Sequence, residues 1–298
     1  MNHWKSLMIP FFRRLYSKLP IIRELKLIER LLQEQQKAAH TSLLVDMESY
    51  ERLLLSEDRY TDRKRLNLYE HQTFSQGGED GIIAEIFRRI GTVSNIFVEI
   101  GVESGIESNT VFLVAQGWRG FWIEGNASYV EAINDHFAKL IASQQLIVAQ
   151  SFVTAENIAG TFQDLQIPLE IDILSIDIDR NTYWVWNALP KLRARVVVVE
   201  YNSIIPYDVD WKVEYHPQKV WNGSSYYGAS LKAFELLGSK FGYNLVGCNL
   251  SGSNAFFVRK DLCKDRFAKP FTSENHYEPA RFFLARRKSH LPSFSDNN

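Results

Sequence analysis

Glu99 and Glu124 lie 25 residues apart, and each closes a short apolar run, in FVEIGVESGIESNT (97–110) and GFWIEGN (120–126). If these runs are strands, an acid at the end of the second is placed to accept both hydroxyls of a ribose. Gly101 and Gly105 would let the chain turn sharply after the first and approach a ligand closely. Ser108, Asn109 and Thr110 then supply caps for a following helix. The run is not G-x-G-x-x-G: with Gly101 as the first glycine, Glu103 and Ile106 fill the other two places. Glu103 would repel a pyrophosphate, so NAD and FAD are disfavoured. A cationic or zwitterionic cofactor without phosphate fits better. The competing reading is an ordinary strand-to-helix turn, with Glu124 only capping the next helix. A third run ends in Gln150, Ser151 and Phe152, a polar group and an aromatic suited to flank an adenine ring.

A second group of polar residues follows at 174–202. Asp177 and Asp179 are two apart and would project to the same side of a continuing strand. Glu200 and Asn202 repeat that spacing at the end of the next apolar run. Together Asp177, Asp179, Glu200 and Asn202 offer hard oxygen ligands for Mg²⁺ or Mn²⁺, which would lower the pKa of a substrate hydroxyl. Without a metal, Asp177 or Asp179 is the general base, and Asn181 and Asn202 hold the substrate. A third reading is structural, with these groups capping strand ends and helices. The long aromatic segment at 203–228 contains Tyr207, Trp211, Tyr215, His216, Trp221, Tyr226 and Tyr227. Such a loop over a sheet is usually functional. Its rings suit a sugar-binding wall, with Tyr226 and Tyr227 as substrate contacts and His216 as a candidate base, or they pin the loop to the body.

The elements that must position these residues alternate. Apolar strands are predicted at 96–100, 120–124, 145–149, 171–177, 195–200, 243–248 and 254–259, with helices at 79–90, 108–117, 127–141, 155–165, 182–192 and 226–241. Several strands are apolar throughout, as in a parallel sheet covered on both faces. Only NLSGS separates the last two, which predicts an antiparallel edge hairpin. The fold class is therefore α/β, a Rossmann-like, doubly wound sheet of about seven strands. Residues 1–66 contain no glycine, and a 3.6-residue stripe from Ile21 to Leu54 predicts a helical N-terminal arm, with the main domain at 67–298. The first 20 residues mix aromatic and basic side chains, suiting either self-association and docking or contact with a membrane interface.

Bulk properties exclude several classes. Lys plus Arg is 34 against 35 Asp plus Glu, so a general nucleic-acid binder is not expected. Cys248 and Cys263 have no metal-like spacing and favour a reducing cytoplasm. No run approaches the roughly 18 apolar residues of a spanning helix, and the N-terminus lacks a signal-peptide core.

Five pieces taken together, SQGGEDGII (75–83), FVEIGVESGIESN (97–109), GFWIEGN (120–126), LSIDIDRNTYWVW (174–186) and VVVVEYN (196–202), resemble the FkbM-like family of class I S-adenosylmethionine-dependent methyltransferases. The resemblance spans residues 69 to 260. It implies a seven-stranded methyltransferase sheet and O-methylation of a hydroxyl on a sugar, glycan or glycosylated natural product, as in polysaccharide biosynthesis. It further implies that Glu99 and Gly101 contact the methionine part of the cofactor, Glu124 the ribose, and Gln150 to Phe152 the base. Gln76, Glu79 and Asp80 would lie over the cofactor or substrate entrance. Glu99 stands where the family usually has Asp. Metal-dependent sugar and catechol O-methyltransferases look similar at these strand ends, but commonly carry a further carboxylate where this chain has Tyr201 or Asn202. Two rivals stand beside this reading: a non-catalytic module that binds a glycan or scaffolds a complex, and a nucleotide-sugar enzyme, which would need phosphate-binding glycines.

Overall fold

The computed structural model describes residues 20–285, and the aromatic, basic segment at the N-terminus falls outside them except for Pro20. The chain divides into two compact units, meeting between Leu54 and Leu55. The described part of the first is one helix, α1 (Pro20–Leu55), of 36 residues. Within its apolar stripe Ile21, Leu25, Ile28, Leu32 and Leu43 are more than half exposed, whereas Met47 and Leu54 are buried. No described helix is long and apolar enough to cross a membrane.

The second unit is an α/β layer structure. Its strands are β1 (Ile96–Ile100), β2 (Arg119–Glu124), β3 (Leu146–Gln150), β4 (Glu170–Ile176), β5 (Arg193–Glu200), β6 (Tyr243–Cys248) and β7 (Asn254–Arg259). They form one sheet in the order β3-β2-β1-β4-β5-β7-β6. β1 through β5 pair in parallel, whereas β7 runs antiparallel to both β5 and β6. The short β6–β7 turn forces that hairpin, because parallel neighbours need a longer crossover. The predicted Rossmann-like sheet with its antiparallel edge is therefore present.

Alternation along the central strands explains why both faces are apolar. Val98 and Ile100 of β1 and Leu174 and Ile176 of β4 enter one core, while Phe97 and Ile173 enter the other. β5 divides its valines in the same way, with Val197 and Val199 on one side and Val196 and Val198 on the other. Helices cover these faces: α2 (Glu79–Ile90), α3 (Val111–Ala115), α4 (Ala127–His136), α5 (Ala138–Ala142), α6 (Ile158–Asp164), α7 (Thr182–Asn187) and α8 (Leu231–Lys240). The helix expected over 127–141 is two, broken at Phe137. That ring is fully buried, edge-on to Trp122 at 4.9 Å, and anchors the junction in the core. Short α9 (Lys260–Cys263) and α10 (Ser273–His276) follow β7.

This topology fixes where a ligand must go. The strand order reverses between β1 and β4, and a crevice opens beyond the carboxyl ends of such strands.

Candidate active site

The loop after β1 is built by its own acids. Gly101 has φ +80°, and a Cβ there would lie 1.8 Å from the Asp177 carbonyl oxygen, so only glycine lets the two strand ends approach this closely. Gly105 (φ +75°) is likewise pressed on Trp122, at 2.5 Å from a hypothetical Cβ. Glu99 is buried and accepts N–H bonds from Asn109 (2.9 Å) and Thr110 (3.1 Å) as well as the Thr110 hydroxyl. Glu124, at the end of β2, accepts from the Glu103 N–H (2.9 Å) through one oxygen and the Asn126 N–H (2.8 Å) through the other. It thus ties the β1 loop to the next helix. A carboxylate has about four lone-pair sites, so two are left for a ligand.

These strand ends open into a cavity of about 1160 Å³. Of the expected residues, Gln76, Glu79, Glu99, Gly101, Glu124, Ser151, Phe152, Asp177, Asp179, Asn181, Glu200 and Tyr227 are on its wall. Strand β4 stops at Ile176 and Asp179 adopts a left-handed conformation (φ 54°). The two aspartates therefore reach the cavity through a turn, not along a continuing strand.

Seven expected contacts are not on the wall: Asp80, Gly105, Gln150, Tyr201, Asn202, His216 and Tyr226. The Asp80 carboxylate instead takes the N–H groups of Thr73, Phe74 and Ser75 and shapes the turn before α2. Gln150 faces outward at the β3 end. Tyr201 is wholly buried and donates its hydroxyl to the Glu278 carbonyl. The Asn202 amide donates to the Ser225 and Tyr227 carbonyls, each at 2.9 Å, clamping the 203–228 loop. His216 contributes its backbone carbonyl to Asn181 (3.0 Å), and its ring nitrogen accepts from the Gln218 N–H. Tyr226 packs on Trp211 and under Arg180. The aromatic loop is mostly pinned to the body in this way, and only Trp221 and Tyr227 of its rings line the cavity.

The proposed metal set does not assemble. Asn202 donates its amide N–H groups to the loop and its Oδ1 accepts the Ile204 N–H, and no group of three or more His, Cys, Asp or Glu among the described residues is arranged to hold a metal ion. Sequence reasoning also missed wall residues. Glu107, Tyr129, Ser251, Ser253 and Asn254 line the cavity. Their only sequence signal was proximity to strand ends, which many polar residues share.

The electrostatics of the cavity are one-sided. Eight acids line it, Glu79, Glu99, Glu103, Glu107, Glu124, Asp177, Asp179 and Glu200, against one base among the described lining residues, Lys219. Burial raises Glu99 above the usual carboxylate range. Burial, with Glu124, Asp179 and Glu107 nearby, does the same to Glu103. Asp177 is pushed up to about 7, mainly by burial and then by Asp179, Glu99, Glu103 and Glu79. Glu200 is raised well above its usual range by burial and by Asp177 and Asp179. Its Oε2 is buried with no donor in reach. Two carboxylates cannot bond each other, but a protonated Glu200 can donate to Asp177, and the two then share one proton. Tyr227 is held protonated by burial and by the same carboxylates.

No protein-family model and no curated protein matches the chain. Among solved structures, it is similar to a precorrin-6y C5,15-methyltransferase from Geobacter metallireducens GS-15, with 13% identity over 64% of this chain and 92% of that one and a TM-score of 0.40. It is similar also to an O-methyltransferase from Bacillus cereus in complex with SAH, with 12% identity over 73% and 89% of the two chains and a TM-score of 0.39. The N-terminal domain of EvdMO1 with SAH bound shows 11% identity over 62% and 80%, at a TM-score of 0.40. Likeness at this level says nothing about the reaction.

Proposed function

We propose that the chain is an S-adenosylmethionine-dependent O-methyltransferase of the FkbM-like kind, acting on a hydroxyl of a sugar, glycan or glycosylated natural product. The observation that carries the reading is the acidic cavity at the β1–β4 switch point, eight acids facing one lysine. Such a cavity repels nucleotide phosphates and attracts a ligand bearing sulfonium and ammonium charges. The residues present fit that cofactor. Gly101 admits a ligand beside the β1 end, Glu124 keeps acceptor sites for ribose hydroxyls, and half-exposed Phe152 offers a ring face to a base.

Bound S-adenosylmethionine supplies an electrophilic methyl group. The protein's part is to place a hydroxyl and remove its proton. Asp177, pushed up to about 7, suits a base at neutral pH and would hold the proton removed from that hydroxyl. Glu200, protonated and hydrogen-bonded to the Asp177 carboxylate, sets how readily Asp177 takes that proton. Excluding water matters as much as basicity, and Trp221, Tyr227 and Phe282 on the wall serve that end. The arm is assigned to self-association, since its apolar stripe is exposed from Ile21 to Leu43. Calorimetric binding of S-adenosylmethionine to the whole chain tests the reading; a protein that binds nucleotides in its place would overturn it.

A further inference from the structure

Two asparagines in the cavity wall have their amide groups oriented by partners that can only accept. Glu79 Oε1 receives Asn254 Nδ2 at 3.0 Å and Asn249 Nδ2 at 2.7 Å, and its Oε2 receives the Gly77 N–H at 2.8 Å. Asn249 Oδ1 in turn accepts the Ser253 and Asn254 N–H groups. This buried network satisfies every side-chain member except Asn254 Oδ1, which has no donor. Flipping that amide would set an oxygen against the Glu79 carboxylate, so the oxygen is the free end. Asn181 behaves alike: its Nδ2 is committed to the His216 carbonyl, its Oδ1 has no donor, and although it stands at the N-cap of α7 it makes no side-chain capping bond there. Both residues are more than nine-tenths buried and both line the cavity.

Glu200, the direct cross-strand partner of Asn254 on β5 and β7, is not a further free acceptor, because it is paired with Asp177. Buried acceptors left unpaired are costly, and native proteins retain few of them. Two amide oxygens in one cavity wall, Asn254 Oδ1 and Asn181 Oδ1, with no donor from the chain, describe a surface made for a ligand bearing more than one O–H group. A ligand with a single hydroxyl would leave at least one of them unpaired.

We propose that Asn254 and Asn181 form an acceptor subsite that reads additional hydroxyl groups flanking the one to be methylated, so that a substrate must carry more than the reacting hydroxyl. The inference rests on the methyltransferase reading for the identity of the reacting hydroxyl, but the subsite itself is read from sugar binding. Discrimination of this kind is strong because a missing ligand hydroxyl leaves a buried protein acceptor unpaired.

The test uses the full chain and saturation-transfer NMR with methyl α-D-glucopyranoside, methyl α-D-mannopyranoside and methyl α-D-galactopyranoside. Their monodeoxy analogues and cyclohexanol serve as comparisons. Each is titrated with and without S-adenosylhomocysteine, whose own affinity is measured separately by calorimetry. The expected result is that at least one hexoside binds, that one deoxy position weakens it about tenfold, as loss of a buried hydrogen bond implies, and that cyclohexanol is weaker still. Asn254→Leu should weaken the hexoside about tenfold and leave S-adenosylhomocysteine affinity within about twofold. The deoxy series on the unaltered protein keeps the test valid if that variant folds poorly. Cyclohexanol binding as tightly as every hexoside, no hexoside binding at all, or equal loss of both ligands in Asn254→Leu would overturn the subsite. Failure of S-adenosylhomocysteine alone to bind would sink the cofactor reading, while the sugar arm still decides the subsite.

Discussion

Replacing Asp177 by Asn should stabilise the protein at alkaline pH even as it removes the proposed base. In the fold this carboxyl titrates at about 7, against 3.8 for its ordinary value. Because the folded value is the higher one, the protonated group favours the fold. That favourable contribution is complete below pH 3.8 and is lost as pH rises through 7. The full difference, (7 − 3.8) × about 1.36, is about 4 kcal/mol at pH 8. Part of it belongs to the proton shared with Glu200, so roughly 1–2 kcal/mol should be recovered by the neutral amide. For a unit of this size that is a rise in Tm of roughly 2–8 °C. Thermal unfolding of both proteins at pH 4 and pH 8 provides the assay. The gain should appear at pH 8 and vanish at pH 4. A variant that loses stability at pH 8, or gains equally at both, would refute the account of Asp177 as a carboxyl destabilised by burial and by its acidic neighbours.

Two further substitutions probe the site. Gly101→Ala should abolish cofactor binding and cost at least about 3 kcal/mol of stability, from a disfavoured φ and the overlap with the Asp177 carbonyl; a soluble variant with unaltered cofactor affinity and Tm would count against the close approach. His216→Ala should leave cofactor affinity and turnover within about twofold, since the histidine supplies the site only with a backbone carbonyl that alanine retains. A tenfold or greater loss of turnover at unchanged stability would return His216 to the reaction.

The fold was largely legible because its signals are periodic. The apolar runs that became β1, β6 and β7 and the amphipathic run that became α2 have the bounds expected of them. The two helices at 127–142 read as one because Phe137 looks like any helical apolar residue until Trp122 is seen beside it. Placement on the cavity wall was legible for residues on strand ends, as for Glu99, Glu124 and Glu200. It was not legible where a side chain is diverted by a nearby backbone. Asp80 and Asn202 carry the right chemistry, but the amides of 73–75 and the carbonyls of Ser225 and Tyr227 claim them. Spacing along the sequence does not report such competition. Asn254 shows the converse, for only the three-dimensional network around Glu79 reveals that its oxygen is left over.

The central claim, that this acidic cavity holds a cationic nucleoside cofactor, is tested most directly by calorimetric titration of S-adenosylmethionine and S-adenosylhomocysteine into the full chain. ATP and NAD⁺ serve as anionic controls and Glu124→Ala as the site control. The account predicts binding of both sulfur compounds at roughly micromolar affinity, loss of at least about tenfold in Glu124→Ala, and no binding of ATP or NAD⁺. Binding of ATP or NAD⁺ with none of S-adenosylmethionine would contradict it and make the turn at Gly101 a phosphate site or a simple structural bend.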